Sequence, residues 1–327
     1  MPHGSGEDEV RSGNALGSLT PSETASFLRF PLPDASLRGP LALAIGNFDG
    51  VHLGHQSALE QLRSRAEKAA IRSAVLTFDP HPAAVVGRGA PPILTTLERK
   101  ATILSSFGVD QVYVRTFDLA FSMLSPQAFV DDLLIVLGVR LVLVGDNFRF
   151  GYRREGDASL LRKLGRSSAF DVETLSLVRT EEGVISSSRI REALAAGDLA
   201  RANAWLGRPH RVSGLVVEGR KLGRTLGFPT ANLSAMPEMI PMAGVYAARV
   251  TGLGEAVVNI GRRPTVEAEG ALAVEAHILD FSADLYGQVV TVDLIERIRD
   301  EQRFDGVEAL RAQIGRDVER ARYLLSM

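Results

Sequence analysis

Short apolar runs alternate with stretches of helical period over the first two thirds of the chain, and this alternation limits the folds open to it. The apolar runs cover residues 41–45, 74–78 and 141–144, and the helical stretches begin near residue 55 and at 96–107 and 126–137. Consecutive parallel strands need a crossover connection, which is usually a helix. The pattern therefore predicts an α/β domain with a doubly wound, mostly parallel sheet.

After Pro209 the pattern changes to short strands separated by turns. Two short helices precede the change, one over 188–196 and one that starts after Asp198, a suitable N-cap residue, and stops at Gly207. The candidate strands that follow are 211–218, 244–251, 255–260, 272–279 and 288–296. Five short strands with Gly-rich connections predict a small antiparallel β-barrel.

A final helix is expected at the end of the chain, where Asp305 and Glu308 form a start that resembles a capping box. Apolar residues recur on one face of this helix, which predicts that the face is buried. These residues are Val307, Leu310, Ile314 and Val318. We expect two domains, 27–207 and 208–327, preceded by a disordered leader over 1–26.

Composition excludes several classes of protein. The 37 Lys and Arg residues against 39 Asp and Glu give a formal net charge of −2, so no nucleic-acid partner is expected. No apolar run approaches the roughly 18–20 residues of a membrane span, and the acidic first residues lack the apolar core of a signal peptide. The absence of cysteine excludes disulfides and thiolate chemistry. We expect a soluble cytoplasmic protein without a membrane partner, and a homo-oligomer stays open.

Residues 46–55, Gly-Asn-Phe-Asp-Gly-Val-His-Leu-Gly-His, join a buried strand to a helix. Glycines let backbone N–H groups approach a ligand, and a helix N-terminus favours an anion, so the predicted ligand is a phosphate. The chain has no Gly-Lys dipeptide, which excludes a Walker A loop. A tight turn, or a histidine pair that awaits a metal, is the alternative. The candidate contacts are Gly46, Asn47, Phe48, Asp49, Gly50 and Gly54, with His52 and His55 at the helix end.

A second phosphate contact is predicted at residues 186–191, Ser-Ser-Ser-Arg-Ile-Arg. Serines at this place are ordinary N-caps, but two arginines in the first turn of a helix oppose its macrodipole. An anion held by Ser187, Ser188 and Arg191 would remove that conflict.

Two further loops, 77–82 and 145–151, also follow buried strands. Ligands of open α/β sheets bind at the carboxyl ends of the strands, so these loops should meet the first one. Phenylalanines on the loops could stack on a flat aromatic substrate, and each could equally be a core residue. They are Phe48, Phe78, Phe148 and Phe150.

The segments 46–56, 77–82, 145–151 and 185–191, in this order along the chain, resemble the N-terminal half of the bacterial bifunctional riboflavin kinase/FAD synthetase family. That half is a nucleotidyltransferase of the HxGH type, whose motif is carried here by residues 52–55. The resemblance implies adenylyl transfer from ATP to FMN, which gives FAD and pyrophosphate. His52, His55 and Arg191 are suited to stabilise the charge that builds on the α-phosphate. The implied flavin and nucleotide contacts are Phe78, Pro80, Pro82 and Asn147.

In the second half, residues 219–232 carry glycines interleaved with basic residues. We predict phosphate contacts from Gly219, Lys221 and Gly223, although a barrel corner would use glycines in the same way. Thr230 and Asn232 offer neutral oxygens of the kind that Mg²⁺ accepts beside waters and substrate phosphates. Both side chains lie on one face if the segment is extended.

Glu275 lies on a predicted strand in which it shares one face with His277, opposite an apolar face. Taken alone, it is more simply a solvent-facing residue of a half-buried strand. Together with 227–232, 244–246, 259–265, 280–287 and 299–304, however, its segment resembles the riboflavin kinase half of the same family, with His210 where an aromatic residue is frequent. The resemblance implies that Thr230 and Asn232 bind Mg–ATP and that Glu275 is the base that activates the ribityl 5′-hydroxyl.

The implied function is ATP-dependent phosphorylation of riboflavin to FMN in the barrel and adenylylation of FMN to FAD in the α/β half. Two alternatives stay open. Only one half is active, or the chain is a flavin-binding regulatory protein that kept the fold without the chemistry. If both sites are complete, the halves should be separable, with kinase activity in 208–327 and a less dependable adenylyltransferase activity in 1–207.

Overall fold

The computed structural model describes residues 27–32, 34, 37–87, 89–175, 178–180, 183–219, 222–262 and 272–327. The predicted leader 1–26, the candidate residue Lys221 and the segment 263–265 lie outside the described residues.

The α/β half is built on a parallel sheet. Its strands are β1 (Leu28–Arg29), β2 (Leu41–Ile45), β3 (Arg72–Asp79), β4 (Gln111–Thr116), β5 (Val139–Gly145), β6 (Arg149–Phe150), β7 (Gly156–Asp157), β8 (Asp171–Leu175), β9 (Arg179–Thr180) and β10 (Gly183–Val184). Six of them pair in the order β1-β4-β3-β2-β5-β8, all parallel. Strand β2 is buried at every residue, as expected for a parallel strand covered by helices on both faces. The predicted parallel α/β sheet is confirmed.

Helices connect and cover these strands. They are α1 (Leu53–Lys68), α2 (Pro82–Val85), α3 (Leu97–Ser106), α4 (Leu119–Ser122), α5 (Pro126–Phe129), α6 (Ala158–Ser168), α7 (Ser187–Ala195) and α8 (Leu199–Leu206), with a π-helical turn at Val130–Ile135 and a 3₁₀ turn at Tyr152–Arg154. The helix expected over 126–137 is thus split between α5 and the π-helical turn. Asp198 caps α8 as predicted, since its carboxylate accepts the N–H of Arg201 at 3.1 Å. In the part of the chain that the structure describes, no helix has both the length and the apolar character needed to cross a membrane.

The second half is a closed antiparallel barrel with the strand order β11-β12-β15-β14-β13-β16. Its elements are β11 (His210–Val217), α9 (Leu222–Leu226), β12 (Ala231–Ser234), β13 (Gly244–Val250), β14 (Gly254–Arg262), β15 (Leu272–Ile278), β16 (Val289–Arg299) and α10 (Val307–Ser326). The predicted count of five strands is wrong because β12 was not recognised. Four residues are too few to show a period, yet β12 closes the barrel by pairing with β11 and β15.

Helix α10 packs on the barrel with the predicted face over its later turns, where Val318 packs with Ala321 and Leu325, but the prediction is wrong for its first turn. Its N-cap is Gly306 without a side-chain cap bond, so the expected capping box is absent from this described helix end. Val307 is 56% exposed, whereas Asp317, Ala321 and Leu325 are buried. Asp317 is buried because Arg299 of β16 binds its carboxylate with two nitrogens, at 2.9 and 2.7 Å. An ion pair thus occupies part of the face that contacts the barrel.

Helices α7 and α8 share a hydrophobic cluster with the barrel. Ile190, Leu194 and Trp205 are buried in the same cluster as Val212 and Tyr246. The side chain of Asn203 strengthens this contact, because its amide donates to the carbonyl of Leu294 at 3.0 Å and accepts the N–H of His210 at 2.7 Å. The two halves are therefore joined by packing as well as by the chain.

Candidate active sites

The loop between β2 and α1 ends at the helix N-terminus that the sequence predicts to bind phosphate. His52 is the N-cap residue of α1, and its Nδ1 accepts the backbone N–H of His55 at 3.3 Å. The two imidazole rings are stacked, with their centroids 3.7 Å apart. Since Nδ1 of His52 is an acceptor, the proton of the neutral ring is on Nε2. His52 therefore has its N–H donor on Nε2, at the end of the helix.

Both histidines are neutral near pH 7. Burial, with the positive charge of Arg208 as a second cause, lowers the pKa of His52 to about 4. Burial also lowers the pKa of His55 well below its ordinary range, and the charges of His52, Lys100 and Arg208 act in the same direction. Among the described residues, Nδ1 of His55 has no hydrogen-bond partner although it is buried. The pair therefore offers neutral polar groups to an incoming anion.

Arg191 of α7 and Asp49 of the loop form a buried ion pair. Nη2 of Arg191 contacts Oδ2 of Asp49, and Nε of Arg191 donates to the carbonyl of Pro92 at 2.6 Å. The Asp49 carboxylate also accepts the backbone N–H groups of Leu94 at 3.0 Å and Thr95 at 3.2 Å. The side chains of Arg191 and Asp49 are 12% and 7% exposed. Both are thus bound to one short stretch of backbone.

The Asp49–Arg191 ion pair overturns the argument from the helix dipole on which the sequence predicts an anion at Arg191. Helix α7 begins at Ser187, so Arg191 is its fifth residue and lies beyond the first turn. The charge of Arg191 is offset by Asp49, an anion of the protein itself. Arg189 does lie in the first turn, and its guanidinium donates to the carbonyl of Val184 at 3.0 Å. A bound phosphate is therefore not required to explain either arginine.

The remaining predicted phosphate contacts surround the start of α1. Ser187 ties α7 to the loop, because its hydroxyl donates to the carbonyl of Asp49 at 2.8 Å, and Ser188 is exposed one residue further. Gly50 has a φ of +80°, and a Cβ there would lie 2.9 Å from Cδ1 of Leu94. Only glycine fits this loop against Leu94. The residues brought together in the loop are Gly46, Asn47, Phe48, Asp49, Gly50 and Gly54.

Three of the four predicted aromatic residues belong to one line of rings. Phe78, Phe148 and Phe150 are connected through Phe121 and Phe129, with centroids of neighbouring rings 5.0 to 6.0 Å apart. Phe150 is buried, whereas Phe78 and Phe148 are half-buried and keep part of their surface accessible. Phe48 is a buried core residue, which is the alternative left open for each of these rings. Its ring packs in a different core cluster, with its centroid 5.0 Å from that of His55.

The loop that follows β3 contacts the phosphate loop through His81. Nδ1 of His81 accepts a backbone N–H at the start of α2, and its Nε2 lies 3.0 Å from the side-chain nitrogen of Asn47. Pro80 precedes His81, and Pro82 is the first residue of α2. Asn147 is exposed in the turn after β5. These residues therefore lie on loops at the carboxyl ends of β3 and β5.

Two cations beside the phosphate loop, the buried Lys100 and the half-buried Arg208, are not predicted by the sequence patterns. Lys100 lies on the buried face of α3, where Nζ donates to Oγ1 of Thr77 at 3.4 Å and burial lowers the pKa of the ammonium group. Arg208 donates to the carbonyls of Gly50 and Val51, the latter at 3.1 Å. A lysine among apolar helical positions was a usable signal for Lys100. Arg208 offered no signal because it binds backbone carbonyls, and those of Gly50 and Val51 are far away in the sequence.

The second candidate site lies on the barrel surface where β12, β15 and β14 are neighbours. Asn232 of β12 is directly opposite Glu275 of β15, which is in turn opposite Asn259 of β14. Opposed residues of antiparallel strands point to the same face, with Cβ atoms about 4.5–5.5 Å apart. Val274 and Ala276 are buried on the other face. The three polar side chains therefore form a row across three strands, as the predicted alternation around Glu275 requires.

The backbone passes close to this row at two glycines. A Cβ at Gly219 would overlap the side-chain amide of Asn232, and a Cβ at Gly223 would lie 3.2 Å from Oγ1 of Thr230. Glycine is therefore needed at both places for the chain to cover Asn232 and Thr230. The extended conformation assumed for 230–232 is present from Ala231 onwards, where β12 begins.

A pocket with mostly apolar walls adjoins Thr230. His277 holds the chain just before Thr230, because its Nδ1 donates to the carbonyl of Pro229 at 2.8 Å. The walls of the pocket include Val216, Ala231, Ile278, Phe281, Leu285 and Tyr286. Apolar walls with a few polar groups at one end suit a flat ring with a polar chain attached.

Comparisons with known proteins match each half to a different family description. A family model described as FAD synthetase matches residues 35–189, and one described as riboflavin kinase matches residues 206–325. A crystal structure described as a macrolide-efflux protein from Streptococcus pneumoniae has a TM-score of 0.81 at 29% identity, covering 90% of this chain and 99% of that chain. The fold is thus shared over nearly the whole length.

Curated relatives span both halves. The bifunctional riboflavin kinase/FMN adenylyltransferase of Escherichia coli K12 is 46% identical over 287 residues, which cover 86% of this chain and 91% of the relative. The protein of the same description from Pseudomonas fluorescens is 42% identical, with 88% and 93% covered. That from Bacillus subtilis is 37% identical, with 85% and 90% covered. The chain therefore belongs to the family of bifunctional riboflavin kinases/FMN adenylyltransferases.

Proposed function

We propose that each half performs one of the two activities of this family. The chain is a riboflavin kinase and FMN adenylyltransferase whose substrates are riboflavin, FMN and ATP. In the proposal, the barrel converts riboflavin to FMN and the α/β half converts FMN to FAD. The supporting observation is that each half has a separate polar site, His52 with Arg191 in one and Asn232 with Glu275 in the other.

In the α/β half, an oxygen of the FMN phosphate attacks the α-phosphorus of ATP, and pyrophosphate leaves. Negative charge builds on the α-phosphate oxygens, and donors that are already in place stabilise it. His52 supplies Nε2–H, and the start of α1 supplies backbone N–H groups. Arg191 supplies Nη1, which makes no hydrogen bond within the described residues, while its Nε and Nη2 are held by Pro92 and Asp49.

The other residues of this half bind and orient the substrates. The Asp49 carboxylate is occupied by protein donors, so its side chain orients Arg191 and its backbone is what remains for a phosphate. Ser188 is exposed at the start of α7 and can donate to phosphate oxygens. We assign flavin contacts to the side chains that remain accessible at the carboxyl ends of β3 and β5, namely Phe78, Pro80, Pro82 and Asn147.

In the barrel, Glu275 accepts the proton of the ribityl 5′-hydroxyl while that oxygen bonds to the γ-phosphorus of ATP and ADP leaves. Phosphoryl transfer depends mainly on positioning and on neutralising phosphate charge. Thr230 and Asn232 lie beside Glu275 and orient the phosphates, and the apolar pocket next to Thr230 binds the flavin ring.

The donor set of the barrel fits Mg²⁺ that arrives with ATP. Thr230 and Asn232 offer one hydroxyl and one amide oxygen, and glycine at 219 and 223 lets the backbone lie against these two side chains. Within the described residues, no group of three or more His, Asp or Glu side chains could hold an ion by itself. Mg²⁺ keeps several waters and takes phosphate oxygens, so two protein oxygens suffice. When bound, the ion neutralises phosphate charge.

We also propose the domain limits 27–207 and 208–327 and a cytoplasmic location. The near-neutral charge of −2 supports an enzyme that works on small molecules. Neither a nucleic acid nor a membrane is part of the proposed reactions.

Product analysis tests the assignment. The protein is incubated with ATP and Mg²⁺ and with either riboflavin or FMN, and the flavins are separated by chromatography. Glu275→Ala should phosphorylate riboflavin about 10²–10⁴-fold more slowly and still convert FMN to FAD. His52→Ala should do the reverse, with adenylylation slower by about 10²–10³-fold. Glu255→Ala, on β14 of the same barrel, is the control that should keep both activities.

Three outcomes would contradict the proposal. A parental rate of riboflavin phosphorylation in Glu275→Ala would remove Glu275 from the reaction. Loss of only one product in the parental protein would favour the alternative with a single active half. Flavin binding without either product would favour a regulatory protein.

A further inference from the structure

One connection of the barrel reaches the α/β site. Residues 235–243 join β12 to β13 and contribute nothing to the lining of the apolar barrel pocket. Oε2 of Glu238 accepts the N–H of Ser213 at 3.1 Å, and Nε2 of His210 donates to the carbonyl of Met239 at 2.7 Å. Glu238 is buried. These two hydrogen bonds therefore fix the 235–243 segment to β11, a strand of the same barrel.

The same segment binds the α/β half through two backbone N–H groups. Met239 N–H donates to the carbonyl of Ile93 at 2.7 Å, and Met242 N–H donates to the carbonyl of Leu194 at 2.9 Å. Ile93 is also paired with Glu238 in an isolated parallel bridge. These contacts attach two separate pieces of the α/β half to one short piece of the barrel.

The two attached pieces are the ones that hold the Asp49–Arg191 pair. Ile93 stands between Pro92, which accepts Nε of Arg191, and Leu94, which donates to Asp49. Leu194 lies in α7, one turn after Arg191. Any shift of the 235–243 segment would therefore move both sides of the ion pair.

We propose that the 235–243 segment positions the Asp49–Arg191 pair, so that FMN adenylylation depends on residues of the kinase half that touch neither substrate. This inference rests on the role proposed for Arg191. A donor must stay within a few tenths of an ångström of its place to stabilise a transition state. Glu238 is the positioning residue, because its buried carboxylate sets the segment on β11.

Glu238→Ala in the full-length protein tests the inference, with Glu238→Gln as the conservative variant and Glu255→Ala as the matched control. Glu238→Ala should lower kcat/KM for FMN adenylylation by at least about tenfold and change riboflavin phosphorylation less than twofold. Glu238→Gln keeps an oxygen for the Ser213 N–H and should restore adenylylation. A role confined to barrel folding would instead lower the kinase activity, which is catalysed in the half that contains Glu238.

Hydrogen exchange provides a second readout that does not depend on activity. The amides of Leu94 and Thr95 bond to Asp49, and they should exchange faster in Glu238→Ala than in the parental protein. If Glu238→Ala does not fold, Pro237→Gly loosens the exposed part of the segment and should give the same changes to a smaller extent.

Each outcome decides between the two proposals. Unchanged exchange at residues 94–95 together with unchanged adenylylation overturns the positioning role. A parallel loss of both activities also overturns it. Faster exchange with unchanged adenylylation supports the chain of contacts and overturns the role given to Arg191 instead.

Discussion

The buried ion pair between Arg191 and Asp49 gives a stability prediction opposite to the one that the sequence supports. A cation opposed by a helix dipole would be neutral or favourable to remove, so the sequence predicts that Arg191→Ala leaves the unliganded protein unchanged or more stable. In the structure, the substitution leaves the Asp49 carboxylate buried without its cation. Breaking such a pair costs about 3–5 kcal/mol. We expect a clear fall in the melting temperature without ligand.

Arg201 provides the control for this measurement. Its ion pair with Asp198 is largely exposed, and pairs of that kind contribute about 0–1 kcal/mol. Arg201→Ala should therefore melt close to the parental temperature. If Arg191→Ala does so too, Asp49 gains nothing from Arg191 in the folded state and the interpretation from the helix dipole is restored.

Buried neutral histidines should make the protein less stable in mild acid. Burial lowers the pKa of His210 to about 4, from an ordinary value of 6.5, although the hydrogen bond to Met239 acts in the opposite direction. Between these two values the unfolded chain binds protons that the folded protein does not. The free energy of unfolding therefore has its full value above pH 6.5 and decreases as the pH falls toward 4.

Urea unfolding at pH 7 and pH 5 measures this loss. His52 contributes in the same direction, since its pKa is also lowered to about 4. His210→Phe removes one titrating group and should reduce the difference in unfolding free energy between the two pH values, whatever its own effect at pH 7. An identical difference in parent and variant would show that His210 titrates normally in the folded protein.

At the scale of elements, the sequence predicted what is encoded locally. Strand β2 is an uninterrupted aliphatic run, and α3 follows its N-cap residue Thr96, whose hydroxyl accepts the N–H of Arg99 at 3.3 Å. His52 and His55 are likewise neighbours on one helix, so their proximity follows from spacing alone. By contrast, the ion pair between Asp49 and Arg191 joins residues far apart in the chain, and no local pattern predicts it. Strand β12 was missed because pairing, rather than its own period, defines it.

Helix α10 contacts the barrel through the later part of its apolar stripe and not through its first turn. Val318 packs with Ala321 and Leu325 beside the Arg299–Asp317 ion pair, whereas Val307 is 56% exposed. Leu325, near the end of the helix, is 4% exposed. Leu325→Ala should cost about 2–5 kcal/mol of unfolding free energy, as for other buried leucines. Val307→Ser should stay within about 0.5 kcal/mol, as is usual for surface sites.

Chemical denaturation of the two α10 variants separates the two descriptions of the helix. The apolar pattern in the sequence predicts a large effect at Val307, whereas the packing in the structure predicts it at Leu325. A larger loss in Val307→Ser than in Leu325→Ala would mean that the first turn of the helix packs on the barrel, as the sequence indicates.

For the whole molecule, the contacts between the halves limit how far they can be separated. A fragment that ends at residue 207 loses Arg208, which binds the carbonyls of Gly50 and Val51 in the phosphate loop. It also loses the 235–243 segment. Neither contact can be predicted from the sequence, because Arg208 and the 235–243 segment both bind backbone groups that lie far away along the chain. The expectation of an active 1–207 fragment is therefore weaker than the motif content alone suggests.

The kinase half should be more stable when α7 and α8 remain attached to it. Ile190, Leu194 and Trp205 are buried against the barrel, and each apolar side chain of this size stabilises by about 1.5–3 kcal/mol when it leaves water. Asn203 adds hydrogen bonds to β11 and β16. A fragment over 186–327 should therefore melt at a clearly higher temperature than one over 208–327, and both should phosphorylate riboflavin, because Thr230, Asn232 and Glu275 are present in each. Calorimetry of the two purified fragments makes the comparison. Equal melting temperatures would show that α7 and α8 do not stabilise the barrel. The proposed domain boundary at residue 207 would then separate the two halves by packing as well as by motif.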